Sequence, residues 1–270
     1  MAKTLERAAY SSAARIVVLS DSFRENLLAK GVEVAKIKQI YNPATRPVRS
    51  QPRDRGRIDR RRVLTMGNVG LSQGLGAIVR EFEANEALDR LGARFVIAGD
   101  GVAAPQVQEE IRSDRVTLTG VVSGERLEQE LQQAAVAVVS QRYEGAEFNV
   151  PSKLMNFMGY GIPVVASVRE DSEVARILRA SGAGWVADSR HPEAFAAKLA
   201  EVLVQEDELE RRGEAGREYA LRHFKLERVA DSFEALLESV VSGGRGECLT
   251  SPDVAPRTRL SAMRSPRWPS

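Results

Sequence analysis

The sequence predicts an α/β fold in which a parallel sheet is covered by helices on both faces. Three observations predict it. Short apolar runs recur along most of the chain, as in strands buried on both faces. Segments of helical period separate them, so strand and helix alternate. Most runs end in glycine, proline or a small polar residue, the punctuation of tight strand-to-helix turns.

The elements follow in order. Residues 3–14 read as an Ala-rich helix and Arg15 to Leu19 as a buried strand. Ser20-Asp21 offers a helix cap, with Phe23, Leu27 and Leu28 at helical spacing up to Gly31. Residues 36–40 alternate as a strand that Asn42-Pro43 ends. This strand–helix–strand unit is too small to enclose a core alone. The segment 49–62 is rich in arginine and reads as a solvated linker, with a basic strip facing anionic headgroups or phosphates as the sharper alternative. Strands are then expected at 63–66, 95–98, 116–118, 136–139, 163–166 and 185–187. Helices are expected near 77–84, 107–112, 125–134, 152–160, 172–180 and 192–203. Two closing helices over 206–241 break near His223-Phe224, and the Pro-, Ser- and Arg-rich remainder reads as a disordered tail.

Composition narrows the function classes. The chain has 270 residues, 43% of them apolar, which is enough for a sizeable core. Its 39 basic and 37 acidic residues nearly cancel, which argues neither for nor against nucleic acid because charge acts there as a patch; no nucleic-acid partner is expected. One cysteine, Cys248, excludes an internal disulfide and fits a reducing, cytoplasmic compartment. No apolar run is long enough to span a bilayer, and the amino terminus lacks the apolar core of a signal peptide.

In open parallel sheets, ligands bind outside the carboxyl ends of the strands, so the loops there are the candidates. The loop after the strand at 63–66 runs Gly67-Asn68-Val69-Gly70-Leu71-Ser72-Gln73-Gly74. Its glycines let backbone N–H groups approach a phosphate, although a plain strand-to-helix turn is an equal alternative. Gly99-Asp100-Gly101 ends the next strand and reads as close ligand approach or as a turn closed by the Asp100 side chain. The most informative stretch is Tyr143 to Pro163. Pro151 suits the first position of a helix, which places Ser152 and Lys153 in its first turn. A lysine there opposes the helix dipole, at a cost of about 0.3–1 kcal/mol, unless an anion is shared between it and the free N–H groups. A nucleotide diphosphate is such an anion; pairing of Lys153 with Glu144 or Glu147 is the alternative. Asn156 lies one turn on, placed to bond a ribose hydroxyl or a polar neighbour. Ser172 is a further candidate for the same site, whereas Asp171 and Glu173 read as acids stabilising a helix start. His191 and His223 read as structural, and no cluster has metal-ligand spacing.

Taken together, these loops resemble the carboxyl-terminal half of family 4 glycosyltransferases with the GT-B fold, over roughly residues 8–241. Pro151-Ser152-Lys153, followed by Met158-Gly159-Tyr160-Gly161-Ile162-Pro163-Val164-Val165-Ala166, is the most specific match, and is similar to the subgroup building colanic acid, O-antigen and capsule sugars. The resemblance implies four segments: 1–46, a remnant of an amino-terminal acceptor domain; 47–61, a basic linker; 62–241, a Rossmann-like nucleotide-sugar-binding domain; and 242–270, the tail. It implies retaining transfer of a sugar from a nucleotide diphosphate sugar, UDP being the first choice of base, to a glycan or lipid-linked acceptor in cell-surface polysaccharide synthesis. Gly67, Asn68, Gly70, Gln73, Gly99, Asp100, Gly101, Pro151, Ser152, Lys153 and Asn156 are the implied donor-binding residues. Catalytic residues are expected in a fuller amino-terminal domain; its supply by a separate chain and a gene fragment or shifted reading frame are equal alternatives. No metal or cofactor is implied, and peripheral contact with the inner face of the cell membrane is compatible. The family's Glu-x7-Glu pair would fall on Phe148 and Asn156, so both acids are absent. Two alternatives are a nucleotide-sugar-binding module inert alone and a nucleotide-sugar epimerase of GT-B fold.

Overall fold

The computed structural model describes residues 2–144 and 150–243. Glu147, Phe148, Cys248 and the expected tail beyond Gly243 lie outside the described residues. The amino-terminal unit comprises α1 (Ala2–Ser12), β1 (Ile16–Val18), α2 (Asp21–Ala29) and β2 (Ile37–Gln39), with β1 and β2 parallel. Ser20 caps α2 by accepting from the Phe23 N–H, as its sequence position suggests. Only Val18, Leu27, Val32 and Ile37 form the buried cluster of this unit.

The main body runs β3 (Asp59–Met66), α3 (Leu75–Ala84), α4 (Glu86–Arg90), β4 (Arg94–Ala98), α5 (Ala104–Glu110), β5 (Val116–Gly120), α6 (Gly124–Gln133) and β6 (Ala134–Ser140). It continues with α7 (Ser152–Gly159), β7 (Val164–Val168), α8 (Glu173–Ser181), β8 (Gly184–Asp188), α9 (Pro192–Leu203), α10 (Glu206–His223) and α11 (Leu226–Gly243). Strands β3 to β8 form one parallel sheet in the order β5-β4-β3-β6-β7-β8. Every residue of β6 and β7 is buried, the consequence of helices on both faces. One face packs Ile78, Val79 and Phe82 of α3 with Phe195 and Leu199 of α9. The other packs Leu154, Phe157 and Met158 of α7 with Val174 and Ile177 of α8 and Phe224. The α/β expectation and the alternation of elements are therefore observed. The break between α10 and α11 falls at Phe224, which is buried against Tyr41 and Tyr219.

The arginine-rich segment 49–62 is largely exposed, but it is fastened to the main body, and its last residues open β3. Its backbone is fastened to the main body, where the Arg49 N–H donates to the Gly159 carbonyl and Arg217 donates to the carbonyls of Arg49 and Ser50. Arg49 pairs with Glu128, Arg55 with Glu210, Arg60 with Glu206 and Arg62 with Glu130. Arg53 extends under the end of α6 and donates to the carbonyls of Ala134 (2.5 Å), Gln132 (3.1 Å) and Leu131 (3.4 Å). These are orphan acceptors at a helix carboxyl terminus, which a cation satisfies well. Burial lowers the Arg53 guanidinium to about 10, and the carbonyls are its compensation. Composition showed the arginines but not the acids waiting for them on distant helices.

Replacing Arg53 with alanine leaves three carbonyls short of a donor. Urea denaturation of Arg53→Ala should show a loss of about 1.5–3 kcal/mol. Arg61→Ala, at an exposed position, should stay within about 0.5 kcal/mol. Equal small effects would refute the capping role of Arg53.

Candidate functional site

The strand order reverses direction between β3 and β6, because the chain proceeds outward through β4 and β5 and then returns to add β6, β7 and β8 on the other side. The loops leaving β3 and β6 therefore diverge and leave a crevice at the carboxyl edge of the sheet. Both sequence motifs, 67–74 and 151–156, lie at this crevice.

The loop after β3 is set by backbone contact with the loop after β4. The Gly67 N–H donates to the Ala98 carbonyl, Val69 to Asp100, and Ala103 to Val69, each at 2.9 Å. A Cβ on Gly99 would lie 1.9 Å from the Gly67 carbonyl oxygen, and one on Gly101 would lie 2.6 Å from that of Val69. Gly99 and Gly101 are thus required by loop-on-loop packing. Asp100 accepts from the Gly101 N–H at 2.7 Å, the turn weighed from the sequence. Gly67 has φ +90°, which glycine adopts without strain, and Gly67 and Asn68 are exposed. Gly70 is buried beside Asn68. A 3-10 turn over Leu71–Gln73 follows.

Across the crevice, α7 starts at Ser152, with Pro151 one position earlier than expected, as the residue preceding the helix. Proline supplies no side-chain cap, and the first turn contains no acid. Ser152 is exposed at this uncapped start. Lys153 folds inward and donates to the Gln73 Oε1 at 2.8 Å, while the Gln73 amide donates to the Asn68 carbonyl. The two sequence motifs thus meet through Lys153 and Gln73. Among the described residues, Lys153 has no carboxylate partner, Glu144 included. Burial lowers its amine to about 8. An unpaired, partly desolvated cation beside free helix N–H groups is suited to receiving an anion.

Asn156 is elsewhere engaged. It is 5% exposed, its Oδ1 accepts from the Arg46 N–H at 3.1 Å, and its Nδ2 donates to the Thr45 hydroxyl at 2.8 Å. Ser172 caps its own helix and donates to the Arg169 carbonyl, so its hydroxyl is engaged locally. His223 is partly buried against Tyr219, and burial lowers its pKa. Among the described residues, no group of His, Cys, Asp or Glu could hold a metal ion, and no helix is long and apolar enough to cross a membrane.

Sequence analysis missed the reach of Glu173. This residue is 1% exposed, and it does more than begin α8. Its Oε2 accepts from the N–H groups of Asp21 (3.1 Å) and Ser22 (3.5 Å) at the start of α2, and its Oε1 accepts from the Tyr41 hydroxyl at 3.3 Å. A carboxylate of the main body thus caps a helix of the amino-terminal unit, and Arg176 pairs with Glu25 beside it. Burial raises the Glu173 carboxyl above its ordinary range. No local pattern signals a partner 152 residues away.

Comparison with known proteins places this architecture. Residues 60–205 match the family model described as glycosyl transferases group 1. The chain belongs to this family. It is 32% identical over 160 residues to the alpha-D-kanosaminyltransferase of Streptomyces kanamyceticus, across 53% of this chain and 41% of that protein. The sucrose-phosphate synthase structure from Thermosynechococcus elongatus superposes with a TM-score of 0.67 at 20% identity, over 89% of this chain and 62% of that one. The Anabaena HepE structure in complex with UDP superposes with a TM-score of 0.70 at 13% identity, over 88% of this chain and 68% of that one. The fold is that of the GT-B glycosyltransferases. The chain spans about two fifths of the length of the curated relative it matches.

A pH titration of the Lys153 side chain, followed by its 13Cε resonance, should give a midpoint of about 8. The unfolded chain titrates this amine near 10.5, so between these values it binds more protons than the folded chain. The Lys153 contribution to stability therefore rises with pH through that window. A midpoint near 10.5 would show that the side chain is solvated and the site is not pre-formed.

Proposed function

We propose that the chain is the donor-binding part of a glycosyltransferase that uses a nucleotide diphosphate sugar, with UDP as the favoured nucleotide. Lys153 carries the proposal: among the described residues it is a cation with no carboxylate partner, at a helix start with no side-chain cap, at the point where the strand order reverses. Diphosphate oxygens would replace the Gln73 amide oxygen as its partner. The exposed Asn68 N–H, the Gly70 N–H beside it and the Ser152 hydroxyl would donate to the same group, with Gly67 shaping the turn that presents them. Charge developing on the leaving diphosphate would meet fixed donors and a cation, which is how such sites lower a barrier. No cofactor beyond the donor substrate enters this scheme. The UDP present in the HepE complex supports the choice of base.

Within this scheme the eleven expected residues divide by task. Gly67, Asn68, Gly70, Pro151, Ser152 and Lys153 face the donor. Gln73 holds Lys153 in readiness. Gly99, Asp100 and Gly101 set the position of the glycine loop, and Asn156 fixes the segment before β3. The acceptor would be a sugar hydroxyl on a glycan or lipid-linked carrier, consistent with a role in surface polysaccharide synthesis. The amino-terminal unit, with four buried apolar residues as its core, would be completed by further chain, or by a separate chain, carrying the acceptor site and the catalytic residues.

Calorimetric titration with UDP, GDP and ADP tests the reading. Selective binding of one nucleotide diphosphate is expected. Between pH 8 and 10 it should be accompanied by proton uptake, because an anion beside Lys153 restores the charged amine. Lys153→Ala should weaken binding at least about tenfold and abolish the uptake, without lowering the melting temperature. Unchanged affinity in this variant would refute the assignment.

A further inference from the structure

The crevice at Lys153 lies at the carboxyl edge of the sheet. The opposite edge carries a separate cleft, where α6 and α7 end and β6 begins. Its volume is about 350 Å³, and Arg49, Arg53, Asp54, Arg57, Gln132 and Tyr160 line it. It shares no residue with the glycine loop 67–74 or with the motif 151–156.

Arg53 forms its wall. This side chain makes all three of its carbonyl contacts at the end of α6 through one nitrogen, Nη2. Among the described residues its Nε and Nη1 have no acceptor, and no carboxylate pairs with it. Capping of α6 therefore uses only part of a planar fork suited to gripping an oxyanion. Its charged neighbour is another cation: burial first, and then the like charge of Arg49, depress the Arg53 pKa.

The surrounding charges do not balance. Arg49 lies over the Tyr160 ring, 4.7 Å from its centroid, and pairs with Glu128. Arg46 approaches the same carboxylate at 3.9 Å. Arg57 donates to the Gln132 Oε1 at 2.7 Å and pairs with Asp54 at 3.3 Å. Four guanidiniums thus share the carboxylates of Asp54 and Glu128, which leaves an excess of positive charge beside the unused donors of Arg53. Exposed ion pairs such as Arg57–Asp54 contribute little to stability, so fastening the segment does not account for this concentration of arginine. A phosphate group would meet both needs, taking paired N–H bonds from the guanidiniums and neutralising the excess.

We propose that this cleft at the amino edge of the sheet binds a small phosphate through Arg53, Arg49 and Arg57, independently of the donor site. Inorganic phosphate and a small phosphate monoester offer the same group. The test is calorimetric titration of inorganic phosphate into the full chain carrying Lys153→Ala, which removes the cation of the donor crevice. One-site binding is expected. Adding Arg53→Lys keeps a charged nitrogen for the α6 carbonyls but loses the fork, and adding Arg57→Gln removes an exposed cation. Each should weaken phosphate binding at least about tenfold, and Arg57→Gln should leave the melting temperature in phosphate-free buffer unchanged. Arg61→Gln, exposed on the same segment but outside the cleft, should leave binding unchanged. With those results, tighter binding of glycerol 3-phosphate identifies a monoester as the ligand, and equal or weaker binding identifies inorganic phosphate. Absence of phosphate binding in the Lys153→Ala chain, binding that survives both Arg53→Lys and Arg57→Gln, or an equal loss with Arg61→Gln overturns the proposal.

Discussion

The arrangement of the site depends on a lysine that the fold desolvates with no counter-ion among the described residues. Lys153 opens α7 where an acid would be the stabilising choice, and it donates to the neutral amide of Gln73. That bond spans the two halves of the sheet, since Gln73 follows β3 and Lys153 follows β6. It exists because the strand order reverses between those strands and opens the sheet edge there. A fold selected for stability alone would not keep a depressed lysine at that point; a fold that must receive an anion gains from it.

Around this contact the packing is rigid where geometry matters. The glycine loop does not hang freely: its carbonyls rest against Gly99 and Gly101 so closely that no side chain fits there. On the far side, the segment before β3 is anchored by Asn156, Arg53 and Arg217. Glu173 performs the equivalent task for the amino-terminal unit by capping α2 across the interface. These contacts hold the loops of the crevice and the segments around them in fixed positions.

Much of the fold was legible in the sequence because buried parallel strands leave a clear trace: runs such as Val136-Ala137-Val138-Val139 admit little else. The motif at Pro151-Ser152-Lys153 was legible for a similar reason, as a local conflict between a lysine and a helix dipole. What escaped was non-local. The pairing of Arg49, Arg55 and Arg60 was not legible because Glu128, Glu210 and Glu206, their partners, are far away in sequence. Glu173 read as an ordinary helix-start acid, although its carboxylate faces a helix 152 residues earlier. Asn156 sat at the right turn of α7 for a ligand, and Thr45 and Arg46 claim both ends of its amide.

The most direct test of the central claim is hydrogen–deuterium exchange of the full chain with and without a saturating nucleoside diphosphate. The account predicts that protection concentrates in residues 67–74 and 151–156, the two segments joined through Lys153 and Gln73, and is absent from α11. Protection that spares both segments while appearing elsewhere would contradict the view that the nucleotide binds where the strand order reverses.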